Sequence, residues 1–195
     1  WEVKKLGEIV KIPITDGPHM TPKFLENGVP FLSVNNLVDN KINLGDLRYI
    51  SKEDDVIFSK KCKPKKGDLL LGKAASVGKI AIVDTDLDFN IWSPIALIRP
   101  KDEYAAYFIY YCFQYSDVIK QIEVLTNSSS QGNIGMGDIE KIYLKFPNFS
   151  EQTSIAFILS DMDEEISALE AKLAKYRQIK EAMMQNLLTG KVRLV

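Results

Sequence analysis

Apolar residues along this chain follow two regimes. Up to about residue 148 they come in short bursts separated by Gly, Pro, Asp and Asn; beyond that they recur at helical spacing without a break. The bursts predict strands at residues 29–34, 68–71, 79–83 and 91–98. A last strand at 141–146 alternates Ile142, Leu144 and Phe146. Residues 6–12 read as a turn leading into a strand. Ser51, with Asp54 three residues on, predicts the cap of a short helix. Residues 103–122 predict one helix rich in aromatics, including Tyr104, Phe108, Tyr110 and Phe113. Its rings fall on most faces, which points to packing against a sheet; a base-stacking surface is the sharper alternative. Residues 15–22 and 126–133 are too dense in turn formers or too polar for regular structure. Strands interrupted by helices without regular alternation indicate an α+β fold. The expectation is a mixed, barrel-like sheet domain with short helices over residues 1–148.

Residues 149–195 form the second region, dominated by one helix predicted from residue 151 to about 188. Asn148 or Ser150 serves as its cap, with Glu151 and Gln152 in the first turn. Gly190 suits the left-handed position after a helix end. Ile155 and Leu159 lead into Met162, Ile166, Leu169, Leu173 and Tyr176. After Leu159 the steps are those of a heptad seam; past Tyr176 it slips through Ile179, Met183 and Leu187. At ~1.5 Å per residue the helix is about 57 Å long, longer than a domain of this size is wide. Acids (Asp161, Asp163, Glu164, Glu165, Glu170) fill its first half and bases (Lys172, Lys175, Arg177, Lys180) its second. Antiparallel pairing with a similar helix sets acidic halves against basic halves, whereas a parallel pair sets like against like. The pattern predicts an antiparallel coiled coil.

Net charge is −1, which argues against holding nucleic acid by bulk positive charge; distribution matters more. Lys60, Lys61, Lys63, Lys65, Lys66, Lys73 and Lys79 share their window with Asp68 alone. That window predicts one positive face, with a solvated lysine-rich loop as the competing reading. No run approaches the ~18 apolar residues of a membrane helix. Cys62 and Cys112 stand in no metal-ligand spacing, and a reduced, cytoplasmic protein is expected.

No catalytic set emerges. His19 is the only histidine and lies in a Pro-flanked loop, a poor foundation for a Ser-His-Asp arrangement. The stretch 72–79, Gly-Lys-Ala-Ala-Ser-Val-Gly-Lys, has one residue too many between its glycines for a phosphate-binding loop. Ile80 also stands where a magnesium-holding Ser or Thr is needed. As a glycine-hinged hairpin carrying Lys73, Ser76 and Lys79, it is a plausible contact for a DNA backbone.

Several fragments, taken in order, resemble the specificity (S) subunit of type I restriction–modification systems. They are Trp1 with Leu6-Gly7-Glu8-Ile9, Asp16-Gly17 with Thr21-Pro22, Gly67-Asp68-Leu69-Leu70-Leu71, and Val77-Gly78-Lys79-Ile80-Ala81. Glu151-Gln152, Ile155-Ala156 with Leu159, Asp163-Glu164-Glu165-Ile166 and Leu187-Leu188-Thr189-Gly190-Lys191-Val192-Arg193 complete the set. The resemblance implies a target-recognition domain over residues 1–148 and a helical spacer over 149–195. Family members carry two such units in tandem, so this chain resembles either a half-subunit that dimerises or a fragment of a longer chain. It further implies a prokaryotic cytoplasmic protein, non-catalytic by itself, that reads half of a bipartite site in double-stranded DNA. S-adenosylmethionine, ATP and magnesium belong to the partner modification (methyltransferase) and restriction subunits.

Phosphate contacts are then expected from the seven lysines and Ser76. Base contacts are expected from Thr15, His19, Thr21, Asn35, Asn36, Ser128, Ser129, Ser130, Gln131 and Asn133. A different class of function, a protein-binding adaptor that dimerises through its C-terminal helix, is the alternative; DNA binding discriminates the two.

Overall fold

The computed structural model describes residues 1–127 and 132–194. The chain begins with β1 (Glu2–Lys5), a one-turn helix α1 (Leu6–Ile9) and β2 (Thr15–Asp16). Next come β3 (Val29–Leu32), a 3-10 turn (Val34–Asn36), β4 (Leu37–Val38), β5 (Lys41–Ile42), β6 (Arg48–Ile50) and α2 (Lys52–Ser59). Strands β7 (Leu69–Gly72), β8 (Ile80–Ile82), β9 (Asn90–Ile91) and β10 (Ile95–Ile98) follow. The remaining elements are α3 (Ala106–Cys112), α4 (Ser116–Asn127), α5 (Met136–Ile139), β11 (Tyr143–Phe146) and α6 (Phe149–Leu187). Packing separates two units, Trp1–Ser154 and the residues from Ile155 onward.

The central sheet has the order β2-β10-β7-β8 and is antiparallel throughout. Every residue of β7, β8 and β10 is buried, which explains why these strands read as continuous apolar runs. A second sheet, β6-β3-β9, contains the parallel pair β3–β9; β1–β11 and β4–β5 form two-stranded sheets. Among the described residues no strand order closes on itself, so the fold is a set of open sheets and the barrel-like expectation is corrected. Leu32, Leu70, Phe89, Ile91 and Leu97 join in the main core, and Phe31, Ile50 and Phe58 in a smaller one beside Trp92.

Two expected elements break where the packing demands it, and a third takes a different form. Residues 91–98 are two strands, because the chain changes sheets at Trp92-Ser93-Pro94, where Ile95 N donates to Trp92 O. Residues 103–122 are two helices separated by a turn at Phe113–Tyr115, in which Tyr115 N donates to Cys112 O at 3.1 Å. One straight helix cannot turn all its rings inward; the break lets Phe108, Phe113, Val118 and Ile122 all be buried. Tyr104 packs edge-on against Phe146, and Tyr110 donates to Asn40 O, whereas Tyr107 and Tyr115 stay exposed. Residues 6–9 are helical rather than a turn, because Leu6 and Ile9, three apart, both face the core with no exposed area.

The cap of α6 is Asn148, whose Oδ1 accepts from Glu151 N at 2.9 Å. Gln152 is buried, donating to Pro147 O and accepting from Ala105 N. Gly190 takes φ +70°, the left-handed conformation expected after the helix end.

Candidate nucleic-acid interface

One end of the central sheet gathers residues distant in sequence. Register aligns Asp16 with Ala96, Ala96 with Leu71, and Leu71 with Ile80. From that row emerge the loop after β2, the loop joining β7 to β8, and the turn before β10. Gly17 is required there: a Cβ would lie 1.7 Å from Ile91 O. Pro18 O accepts from Ser93 N at 3.3 Å, and Lys73 N donates to Pro94 O at 2.8 Å. Gly72 is equally constrained, its would-be Cβ 2.3 Å from Ser76 O and 3.1 Å from Val34 Cγ2, so the 3-10 turn bearing Asn35 lies alongside. Ile134 N donates to Lys73 O at 2.9 Å, which brings the neighbouring Asn133 to the same end.

A buried carboxylate organises this end. Asp16 is 5% exposed and holds Lys61 Nζ at 2.5 Å, Lys73 Nζ at 3.0 Å and His19 Nε2 at 3.3 Å. Burial alone pushes its carboxyl up, but the Lys61 and Lys73 ammoniums outweigh that and hold it below the ordinary aspartate value. Lys61 also donates to Gly17 O at 3.1 Å. The sequence pointed to the two lysines and His19 but missed Asp16 as their common partner. The available signal was an Asp-Gly pair with a histidine three residues on.

The lysine-rich window does not form one face. Strand β7 separates Lys73 at one end from Lys65 and Lys66 at the other, where Gly67 N donates to Val83 O. Lys63 bridges Asp55 and Asp88, both at 2.7 Å, and Lys66 lies 3.3 Å from Asp86. Burial of Lys63 lowers its affinity for a proton, yet the two aspartates raise it overall. These acids lie outside the sequence window and cancel much of its charge. Lys60, Lys65 and Lys79 are exposed and have no carboxylate partner among the described residues. Lys79 closes the β7–β8 loop at the Asp16 end, where its carbonyl accepts from Gly72 N, and Lys60 precedes Lys61 in the chain.

The other candidates divide as well. Asn36 is buried; its Oδ1 accepts from Ser33 N, and its Nδ2 donates to Asn43 O and Asp46 O. Its amide is spent on the loop it closes, which removes it from the base-reading set. Thr15 is half-buried and paired through its backbone with Leu97. His19, Thr21 and Asn35 are exposed, and Ser76 and Asn133 half-buried. Ser128, Ser129, Ser130 and Gln131 lie outside the described residues.

Within the second unit, α6 leaves its seam open. Met162, Ile166, Leu169, Leu173, Tyr176 and Met183 are each at least 50% exposed. Ile179 is 42% exposed; Ile155, Leu159 and Leu187 are intermediate. Toward the helix end, Tyr176, Ile179, Met183 and Leu187 line an apolar groove with Lys180, Met184 and Leu188. Among the described residues no three His, Cys, Asp or Glu side chains are placed to hold a metal, and no helix is long and apolar enough to cross a membrane.

Comparison with known proteins gives a consistent set of matches. Residues 1–180 match the family described as the type I restriction modification DNA specificity domain. The type I restriction enzyme MjaVIII specificity subunit of Methanocaldococcus jannaschii is 26% identical over 100% of this chain and 47% of its own length. The EcoBI specificity subunit of Escherichia coli is 22% identical over 98% of this chain and 42% of its own. This chain thus spans about half the length of these relatives. Among solved structures, a chain from a study of complex assembly and conformational transition in the type I R-M system superposes with a TM-score of 0.69 at 20% identity. That match covers 95% of this chain and 45% of the other. The HsdS subunit of Thermoanaerobacter tengcongensis gives 0.61 at 20% identity, covering 95% and 44%. At these identities the solved structures speak for the fold.

Proposed function

This chain belongs to the type I restriction modification DNA specificity domain family, and from that premise we propose that it is a sequence-reading DNA-binding subunit, non-catalytic by itself. Its first unit reads one half of a bipartite target, and α6 joins it to a second copy or a tandem repeat. Modification subunits dock on the assembly and bring S-adenosylmethionine; restriction subunits bring ATP and magnesium. The observation that carries this reading is the convergence of His19, Asn35, Lys61, Lys73, Lys79 and Asn133 at one end of the central sheet. That end combines cations able to fix register on phosphates with polar side chains able to meet base edges.

The half-exposed seam on α6 supports the pairing. Its charge polarity favours an antiparallel partner, and a two-fold pair of reading domains suits an inverted repeat with a fixed gap. The test is selection from a randomised duplex pool by the full chain, alone and with a co-purified modification subunit. Two identical inverted half-sites at constant spacing are expected. A pool that emerges unenriched from both arms contradicts DNA reading and leaves the protein-binding adaptor.

A further inference from the structure

Asp16 is a carboxylate at the end of the sheet where cations converge, and by charge alone it opposes a phosphate. Its place is nevertheless tightly fixed. Its backbone pairs with Ala96 in the sheet, and Gly17 behind it packs so close to Ile91 O that no Cβ fits there. Lys61 and Lys73 reach it from segments remote in sequence, on long side chains that otherwise sample many rotamers. An ammonium carries three N–H donors. Lys61 spends two, on Asp16 and Gly17 O, and Lys73 spends one on Asp16, so both retain donors for an anion. Ordering two cations before the ligand arrives lowers the entropy lost when it binds.

We propose that Asp16 is a positioning residue: it holds Lys61 and Lys73 as a fixed pair that seats one backbone phosphate, and thereby sets the register at which His19 and Thr21 meet the bases. This role rests on the DNA-reading function proposed above. It separates from a bulk-charge effect by sign. Asp16→Asn removes a negative charge from a DNA-facing edge, so charge alone demands tighter binding to every duplex and an unchanged sequence preference. Positioning demands a loss of preference.

The experiment compares the full chain and its variants on two probes, the duplex enriched from a randomised pool and a random-sequence duplex, with thermal melting as the fold control. Asp16→Asn is expected to keep its affinity for the random duplex while its preference for the enriched one falls about tenfold. Asp16→Glu retains the carboxylate and recovers part of the preference. The pair Lys61→Met and Lys73→Met loses a similar factor, and adding Asp16→Asn to that pair costs nothing more, because the carboxylate acts through the lysines. An unchanged preference in Asp16→Asn overturns the role, as does an equal loss with the lysines absent. If Asp16→Asn fails to fold, the lysine pair decides: a full preference without Lys61 and Lys73 overturns it. A wild-type chain that enriches nothing sinks the DNA-reading function and this role together; a motif that Asp16→Asn reads equally well sinks only the role.

Discussion

Replacing Lys60 and Lys79 with Ala removes two positive charges, one next to Lys61 in the chain and one from the Asp16 end of β7, whereas replacing Lys65 and Lys66 removes two from the segment leading into its other end. The strand spans four residues, three steps of ~3.4 Å or about 10 Å, and the flanking segments add to that separation. If the Asp16 end meets DNA, then Lys60, Lys61, Lys73 and Lys79 supply the phosphate contacts of one reading domain. Each displaced counterion contributes about 0.9 to the slope of log affinity against log salt, so four lysines give about −3.6. Between about 50 and 200 mM salt that is a loss of roughly 150-fold. The Lys60/Lys79 variant retains half the slope and loses only about twelvefold over the same range. The Lys65/Lys66 variant keeps the wild-type slope. Lys66 and Asp86 form an exposed pair, and such pairs contribute ~0–1 kcal/mol, so its folding changes little. Fluorescence anisotropy with a random-sequence duplex across a salt series measures both slopes. Because the two variants carry equal net charge, a flattened slope for Lys65/Lys66 with an intact one for Lys60/Lys79 refutes the assignment of the interface.

Replacing Ile166 and Leu169 with Glu places charge on seam positions that are 50% and 55% exposed. Light scattering should then report monomers, and a persistent dimer removes the seam. Arg99→Met strands Asp68, which is 2% exposed and held by Arg99 Nε at 2.7 Å and Nη2 at 2.6 Å. Denaturant unfolding should show a loss of about 3–5 kcal/mol, and a loss under 1 kcal/mol contradicts the buried-pair reading. Asp16 has a folded value held below the ordinary 3.8, so its contribution is fully present above about pH 4 and is lost as pH falls through the depressed folded value. Acid titration of stability should therefore be shallower in Asp16→Asn than in wild type; identical curves oppose the pairing with Lys61 and Lys73. Burial pushes the thiols of Cys62 and Cys112 up to about 12. Both should resist a thiol reagent at about pH 8 until denaturant is added, and rapid labelling of the folded chain contradicts the burial of Cys62 and the partial burial of Cys112.

The rod and most strands were legible because their signals are local: the heptad steps from Leu159 to Tyr176, and continuous apolar runs such as 69–71. Its cap and its stop are local as well, carried by Asn148 and Gly190. What escaped depends on partners far along the chain. Lys60 to Lys79 look like one cluster only until the strand between them is drawn and Asp55, Asp86 and Asp88 arrive from outside the window. Asn36 has the chemistry of a base reader, yet Asn43 and Asp46 carbonyls occupy its amide. Asp16 organises its end of the sheet through side chains 45 residues (Lys61) and 57 residues (Lys73) away, a convergence no periodicity announces. The breaks at Trp92–Pro94 and Phe113–Tyr115 likewise arise from tertiary demands, a change of sheet in one case and the burial of several rings in the other.

In the proposed function a pair of reading heads is coupled through α6, and other subunits supply the chemistry. Mapping modified adenines across the genome of a host with and without this gene, the partner subunits kept intact, tests that most directly. The prediction is the disappearance of one interrupted motif, its two halves inverted copies of each other if the chain pairs with itself. Identical maps in the two strains contradict it.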